Sequence, residues 1–171
     1  MIPTEEQCMS IHKREGTPEN VIEHCISVRN YAKTLAEKIG PKLKINLPAL
    51  LAAALLHDIA RARSEGPHHG VVGAAIVRSY GVDEEICKMI ERHLGSGIDD
   101  EEAAKIGLPA GKIYMPLTME ERLLSYADKR IFPGGIATHE EVIDSFRKEF
   151  GECRQLENLK KLLEEVGRLC S

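Results

Sequence analysis

A histidine and an aspartate stand side by side, as His57-Asp58, directly after the most apolar stretch of this sequence, residues 47–56. A helix formed by that stretch is apolar all round and is therefore predicted to be packed on every side. A carboxylate buried there without a partner is costly, so the aspartate needs compensation. Either the imidazole and the carboxylate bind one metal ion, or they form a hydrogen-bonded pair that supports the helix end. The dipeptide alone leaves both interpretations open.

Two more residues of the kinds that bind metals are predicted near core-facing positions. His24 lies at the edge of the apolar stripe of a long helix predicted over residues 19–39. Asp128 lies near the end of the apolar pattern of a later helix, predicted over residues 119–128. Side chains at such positions can reach the interior, so the histidine and the aspartate are candidates to join the central pair.

The order of these residues, a histidine, a His-Asp pair and a distant aspartate, resembles the HD-domain family of metal-dependent phosphohydrolases. The resemblance covers about residues 19–130 and includes the local sequences VIEHCISV, LLHDIAR and YADKR. It implies that one divalent metal ion is held by His24, His57, Asp58 and Asp128. Two nitrogens and two carboxylates, with water completing the set, suit manganese, iron, cobalt or nickel better than zinc or magnesium.

Two further histidines extend the resemblance. His69 opens the sequence HGVVGAAIV, which is similar to the family's H-x-x-x-G stretch, and His93 lies in MIERHLG. In the two-metal branch of the family, histidines at these places bind a second ion, and the aspartate of the pair, here Asp58, bridges both ions. The alternative is that they orient other ligands or contact the substrate at a centre with one ion. The number of ions, one or two, stays open at this point.

The resemblance implies that a metal-activated water hydrolyses a phosphomonoester or phosphodiester of a nucleotide or another small metabolite. His57 and Asp58 are the predicted catalytic residues. Arg61, Lys129 and His68 are predicted to bind the substrate, since arginine in particular suits bidentate contact with phosphate. Solvent-exposed surface charge is the alternative for Arg61 and Lys129. The sequence lacks the G-Y-P signature of the family's cyclic-dinucleotide phosphodiesterases, which disfavours that branch.

Two other functions are compatible with the same six ligands. Some related helical domains activate oxygen at a mixed-valent di-iron centre. A metal or nucleotide sensor would keep the centre without turnover. The complete ligand set favours an enzyme over a sensor, and oxygen uptake by the iron-loaded protein would distinguish an oxygenase from a hydrolase.

The elements that must position these residues are predicted to be helices, because apolar residues recur at helical spacing almost throughout. The predicted fold class is all-α, a compact multi-helix HD-domain bundle with the metal site between central helices. Asn46, followed by Pro48, is predicted to begin the central helix, while Thr17 and Asp83 are predicted to cap two others. His12 is predicted to face solvent.

The second half of the chain contains a long loop and two closing helices. Residues 95–117 are rich in glycine and proline and predict an ordered loop with a short helix at 99–106. Whether this loop is a lid is not decided by the sequence. Amphipathic helices predicted at 139–150 and 152–169 complete the fold, in a C-terminal region of about residues 138–170.

Length and composition set further expectations. The chain has 171 residues, which predicts a single domain over residues 1–171. Its formal net charge is −4 at pH 7, so neither a polynucleotide nor a membrane is an expected partner. The five cysteines have no C-x-x-C spacing and predict reduced thiols in a cytoplasmic protein. A homodimer is compatible with the sequence, which does not establish the oligomeric state.

Overall fold

The computed structural model describes all 171 residues and confirms the all-α class. The helices are α1 (Glu5–Glu15), α2 (Glu19–Ile39), α3 (Leu47–Leu56), α4 (His69–Ser79), α5 (Glu84–Arg92), α6 (Asp100–Lys105), α7 (Met119–Arg130), α8 (His139–Phe150) and α9 (Arg154–Leu169). Two 3-10 turns, Ile59–Ala62 and Gly66–His68, lie between α3 and α4. A two-stranded antiparallel hairpin, β1 (Ile131–Phe132) and β2 (Gly135–Ile136), lies between α7 and α8.

Helix α3 is the centre of the molecule. Seven of its ten residues are buried, and it packs against α1, α2, α5 and α7. The three consecutive alanines, residues 52–54, are all buried and add little volume, which lets the surrounding helices approach closely. The predicted start is confirmed, since the side chain of Asn46 accepts a hydrogen bond from the backbone N–H of Ala49. The apolar run therefore forms the expected fully packed helix.

Threonine side chains begin several of the surrounding helices. Thr4, Thr118 and Thr138 each accept a hydrogen bond from the backbone N–H three residues later. In each case a glutamine or glutamate at that later position bonds back to the threonine N–H, which completes a capping box. These local sequence signals fix the starts of α1, α7 and α8.

Two other caps differ from the prediction, that of α2 in its position and that of α5 in its hydrogen bonding. Pro18, not Thr17, stands at the cap position of α2, and its carbonyl accepts from the backbone N–H of Val21. The hydroxyl of Thr17 instead lies 3.0 Å from Nδ1 of His12. Asp83 does stand at the start of α5, but its carboxylate pairs with the N-terminal amino group of Met1 and caps no N–H. In both places the side chain pairs with another group and not with a helix N–H.

The prediction for His12 was also wrong. This side chain is fully buried, and its Nε2 lies 2.7 Å from the carbonyl oxygen of Leu55 in α3. It therefore fastens α1 to the central helix. A smaller difference concerns a boundary, because α9 begins at Arg154 rather than at Glu152.

The segment over residues 95–117 is ordered by its own small core. Leu94, Ile98, Ala103, Leu108 and Tyr114 form a second buried cluster beneath it. The predicted short helix is α6, and Asp99 caps it by accepting from the backbone N–H of Glu102. None of the helices combines the length with the apolar character needed to cross a membrane.

Candidate metal centre

Six side chains converge beside the end of the central helix. They are His24 of α2, His57 and Asp58 directly after α3, His69 at the start of α4, His93 directly after α5, and Asp128 near the end of α7. Within each of three overlapping triplets of these residues, the ligand atoms all lie within 4.8 Å of one another. The structure thus brings all six predicted metal-ligating residues into one cluster.

The first half of the cluster is organised by Asp128. Its Oδ1 lies 2.9 Å from Nε2 of His24 and 3.3 Å from Nε2 of His57. The Nε2 of His57 also lies 3.6 Å from Oδ2 of Asp58. Two imidazole nitrogens and two carboxylates therefore face one small volume at the junction of α2, α3 and α7.

The second half is organised by the other oxygen of Asp58. Its Oδ1 lies 3.2 Å from Nε2 of His69 and 3.6 Å from Nε2 of His93. The two imidazole Nε2 atoms are only 3.0 Å apart. The two oxygens of Asp58 thus face different histidines, with Oδ2 towards His57 and Oδ1 towards His69 and His93.

Helix ends determine how three of these rings are oriented. The Nδ1 atoms of His57, His69 and His93 lie 2.8, 2.6 and 2.6 Å from the carbonyl oxygens of Ala54, Gly66 and Ile90. Each carbonyl lies three residues before its histidine, in the last turn of a helix or 3-10 turn, where backbone acceptors lack their usual partners. A carbonyl only accepts, so each Nδ1 carries the proton and donates it. In the neutral ring, Nε2 then presents its lone pair to the cluster.

This arrangement fits a bound cation. With both Nδ1 atoms protonated, the neutral rings of His69 and His93 point two lone pairs at each other across 3.0 Å, which is repulsive unless a positive charge lies between them. The Nε2 of His57 is buried and has no hydrogen-bond partner, although carboxylate oxygens lie nearby. Imidazole nitrogens and carboxylate oxygens are the donors that divalent transition metals prefer, so the residues present suit such an ion.

The electrostatics of the cluster also favour positive charge. Burial raises the pKa of Asp58, but the charge of His57 and the hydrogen bonds to His69 and His93 together outweigh it, and the pKa ends well below its ordinary range. Burial likewise opposes ionisation of Asp128, and Lys129 with two histidines holds its pKa well below the ordinary range. Burial lowers the pKa of His93 to about 4, so its ring is neutral near pH 7.

His57 differs from His93 because it lies between the two carboxylates. Burial lowers the pKa of His57, but Asp58, Cys25 and Asp128 together raise it by more, so its pKa is well above the ordinary value. The two carboxylates therefore favour the protonated ring. A metal ion bound at Nε2 would compete with that proton, so metal binding is expected to weaken as the pH falls.

The three predicted substrate-binding residues have different surroundings. Arg61 and Lys129 line the cavity that opens onto the cluster, with Nε of Arg61 3.3 Å from Oδ1 of Asp58 and Nζ of Lys129 3.7 Å from Oδ2 of Asp128. His68 is exposed just before α4 and does not line that cavity. Two of the three are thus placed next to the carboxylates.

The cavity itself has about 1150 Å³ and contains residues that the sequence did not indicate as functional. His24, Asp58, His69 and Asp128 lie on its surface. The chain has only three phenylalanines, Phe132, Phe146 and Phe150, and all three line the cavity. The spacing of Phe146 and Phe150 on one face of α8 was the available signal, but it indicates an apolar helix face and not a cavity wall.

Comparison with known proteins gives one family and several relatives. The HD-domain family model matches residues 21–131. An uncharacterized protein of Methanocaldococcus jannaschii is 43% identical over 148 residues, which are 86% of either chain. A tRNA (cytidine(56)-2'-O)-methyltransferase of Thermoplasma volcanium is 34% identical over 168 residues, which are 97% of this chain and 48% of the methyltransferase. Ribonuclease Y of Cutibacterium acnes is 32% identical over 87 residues, 49% of this chain and 15% of that protein.

These matches show which part of each relative is similar to this chain. This chain spans about half the length of the methyltransferase and a small part of ribonuclease Y, so those names describe proteins with additional regions. The matched family region contains all six clustered residues and both cations beside them. The family match over residues 21–131, together with the relative at 43% identity, identifies this chain as a member of the HD-domain family.

Proposed function

We propose that this protein is a metal-dependent phosphohydrolase that cleaves a phosphomonoester or phosphodiester of a nucleotide or small metabolite. The observation that carries the proposal is the convergence of imidazole Nε2 atoms, fixed by their Nδ1 hydrogen bonds, on the two carboxylates Asp58 and Asp128. Rigid donors of this kind form a metal site that does not have to reorganise on binding.

In this proposal the cluster holds one or two divalent ions. His24, His57, Asp58 and Asp128 are the ligands of the first, and the chemistry of this donor set favours manganese, iron, cobalt or nickel. His69 and His93 are the ligands of the second, with Asp58 shared, because its two oxygens face the two groups of histidines separately. When bound, such ions act as Lewis acids towards the phosphate and lower the pKa of the attacking water.

The chain's own residues then bind and orient the phosphate. Arg61 and Lys129 pair with the carboxylates in this structure. With a metal ion on the same carboxylates, Arg61 and Lys129 would be released from these pairs, and their guanidinium and ammonium groups would lie next to the place where a phosphate would bind. Because the side chain of Arg61 is 36% exposed, it is free to move towards a substrate in the cavity.

The named relatives introduce RNA as a second class of substrate. One is a tRNA methyltransferase and another is a ribonuclease, and the first is similar to almost the whole of this chain. The net charge of −4 argues against a strong attraction to a polynucleotide. A short RNA therefore belongs among the phosphodiesters tested, beside nucleotides and sugar phosphates.

The test combines metal analysis with phosphate release. Protein purified without added metal, then loaded in turn with manganese, iron, cobalt and nickel, is assayed for metal content and for activity on these substrates. Asp58→Ala should lose bound metal and at least 100-fold in activity while keeping its helix content by circular dichroism. His93→Ala should lower the metal content from two ions per chain to one if two are bound.

Variants of exposed residues serve as controls, because they show whether the effects are specific to the metal site. Asp144 is exposed on α8 and pairs only with Arg147, so Asp144→Ala should keep both metal and activity. His68→Ala should keep the metal content of the wild type. Full activity in Asp58→Ala would overturn the proposal. Oxygen uptake by the iron-loaded protein without phosphate release would replace it with the di-iron oxygenase hypothesis.

A further inference from the structure

All three phenylalanines line the cavity that opens onto the metal cluster. Phe132 belongs to β1, and Phe146 and Phe150 belong to α8, where they follow Val142 at intervals of four residues. The rings of Phe146 and Phe150 are in contact, with centroids 4.7 Å apart and planes tilted by 43°. We name these three residues the phenylalanine wall.

The wall is open to water in this structure. The Phe150 side chain is among the most exposed large apolar groups of the chain, at 58%, and Phe132 and Phe146 are only partly buried. Exposed aromatic faces grouped beside a polar site mark places where an apolar part of a ligand binds. Ile98 and Ile106 also line the cavity, so it offers further apolar surface to a flat group.

The charges of the cavity limit how many phosphates it accepts. Its cations, Arg61 and Lys129, both lie against the carboxylates of the metal cluster. The remaining charged residues of the lining are acidic, namely Glu65, Glu102 and Glu149. A single phosphate therefore has compensation at the cluster, whereas a second phosphate further out would face carboxylates without a cation beside it.

We infer that the substrate is a phosphomonoester whose alcohol part carries a planar, uncharged aromatic ring, of the size of a nucleoside monophosphate. This inference rests on the proposed function for the position of the phosphate. The phenylalanine wall binds the ring by stacking, and the acidic residues disfavour di- and triphosphates. Stacking of a base on an aromatic side chain strengthens binding roughly 5- to 150-fold, so the wall makes a measurable contribution to affinity.

Adenosine and inorganic phosphate test the two halves of the cavity separately, because neither can be turned over. Calorimetric titration of the metal-loaded protein should show binding of both. Phe146→Leu keeps an apolar side chain on α8 but removes the ring, so it should weaken adenosine binding about tenfold and leave phosphate binding unchanged. Leu117→Ala, at an exposed apolar position outside the cavity, should change neither.

Turnover supplies the second readout. Phe146→Leu should lower kcat/KM for adenosine 5'-monophosphate about tenfold, with no change for ribose 5-phosphate, which has the phosphate but no aromatic ring. The wild type should prefer the monophosphate to adenosine 5'-diphosphate. Equal losses on both monophosphates, or no loss of adenosine affinity, would overturn the inference while hydrolysis stands. Weakened adenosine binding in a protein that releases no phosphate would instead overturn the proposed function and leave the wall as a ring-binding site.

Discussion

Two histidines of this protein, His12 and His57, are fully buried, and their surroundings favour a neutral ring at His12 and a positive ring at His57. Near His57 lie carboxylates that favour a positive ring. Around His12 there is only a carbonyl, that of Leu55, and the hydroxyl of Thr17. Since the carbonyl can only accept, Nε2 of His12 donates to it, and Nδ1 accepts from the threonine hydroxyl. His12 is therefore a neutral ring with both nitrogens satisfied.

The neutral state of His12 predicts a pH dependence of stability. Burial lowers its pKa in the folded protein below the ordinary value of 6.5. Below pH 6.5 the unfolded chain binds a proton that the folded protein resists, so the stabilising effect of His12 is complete above that pH and decreases as the pH falls. His12→Gln keeps a neutral donor without titrating. The advantage of the wild type in urea unfolding should shrink between pH 7.5 and 5.5, by at most about 1.4 kcal/mol per pH unit.

The comparison is made in chelator, so that the metal ligands titrate equally in both proteins and cancel in the difference. A second variant, Thr17→Val, removes the hydroxyl that His12 accepts from and should cost roughly 0.5–1.5 kcal/mol. An advantage of the wild type over His12→Gln that is the same at both pH values would show that His12 is not held neutral.

At the scale of elements, the close contact of α4 with α5 sets the distance between His69 and His93 in the second half of the metal cluster. Gly70 follows His69, and a Cβ placed on it would lie 3.0 Å from Cγ of Leu94 and 3.1 Å from the carbonyl oxygen of Ile90. Gly73, one turn later, is similarly close to the side chain of Ile90. The two glycines thus let the start of α4 approach the end of α5, which brings the two Nε2 atoms to 3.0 Å.

Gly70→Ala is therefore predicted to weaken the second ion selectively. The added methyl group forces the helices apart by a few tenths of an ångström at the point where His69 and the end of α5 meet. We expect the affinity of the second ion to fall on the order of tenfold, with the first ion retained. Metal titration by calorimetry, in which two bound ions would give separate steps, measures both affinities.

A control on the same helix distinguishes geometry from general loss of stability. Ala75 is exposed on α4, and Ala75→Gly should destabilise the helix by about 1 kcal/mol without moving it against α5. Its metal affinities should equal those of the wild type. If Gly70→Ala and Ala75→Gly lowered the metal affinities by the same amount, the contact between α4 and α5 would not determine the second site.

Local signals explain which elements were predictable. The start of α3 followed from Asn46 and the apolar run behind it, because capping and periodicity act within a few residues. The burial of His12 depends on Leu55, 43 residues away, and no local pattern contains that contact. The phenylalanine wall was not predicted for a related reason. The spacing of Phe146 and Phe150 predicts an apolar helix face, but it does not tell whether another element covers that face.

At the scale of the whole molecule, the metal cluster joins distant parts of the chain. Its six candidate ligands come from α2, the ends of α3 and α5, the start of α4 and the end of α7. Beyond the family match, which ends at residue 131, α9 adds five buried residues and packs against α7. The C-terminal helices thus support the helix that carries Asp128, and α8 supplies two residues of the phenylalanine wall.

A ligand set drawn from five segments exists only in the folded protein, so metal binding should stabilise the whole fold. At a free metal concentration about 100 times Kd, the free energy of unfolding should rise by about 2.7 kcal/mol, which corresponds to roughly 5–10 °C in Tm for a chain of this size. Chelator should reverse the shift, and thermal unfolding followed by circular dichroism measures it. Asp58→Ala should show no shift, whereas the exposed control Asp144→Ala should match the wild type. A shift of equal size in Asp58→Ala would place the stabilising ion elsewhere on the molecule.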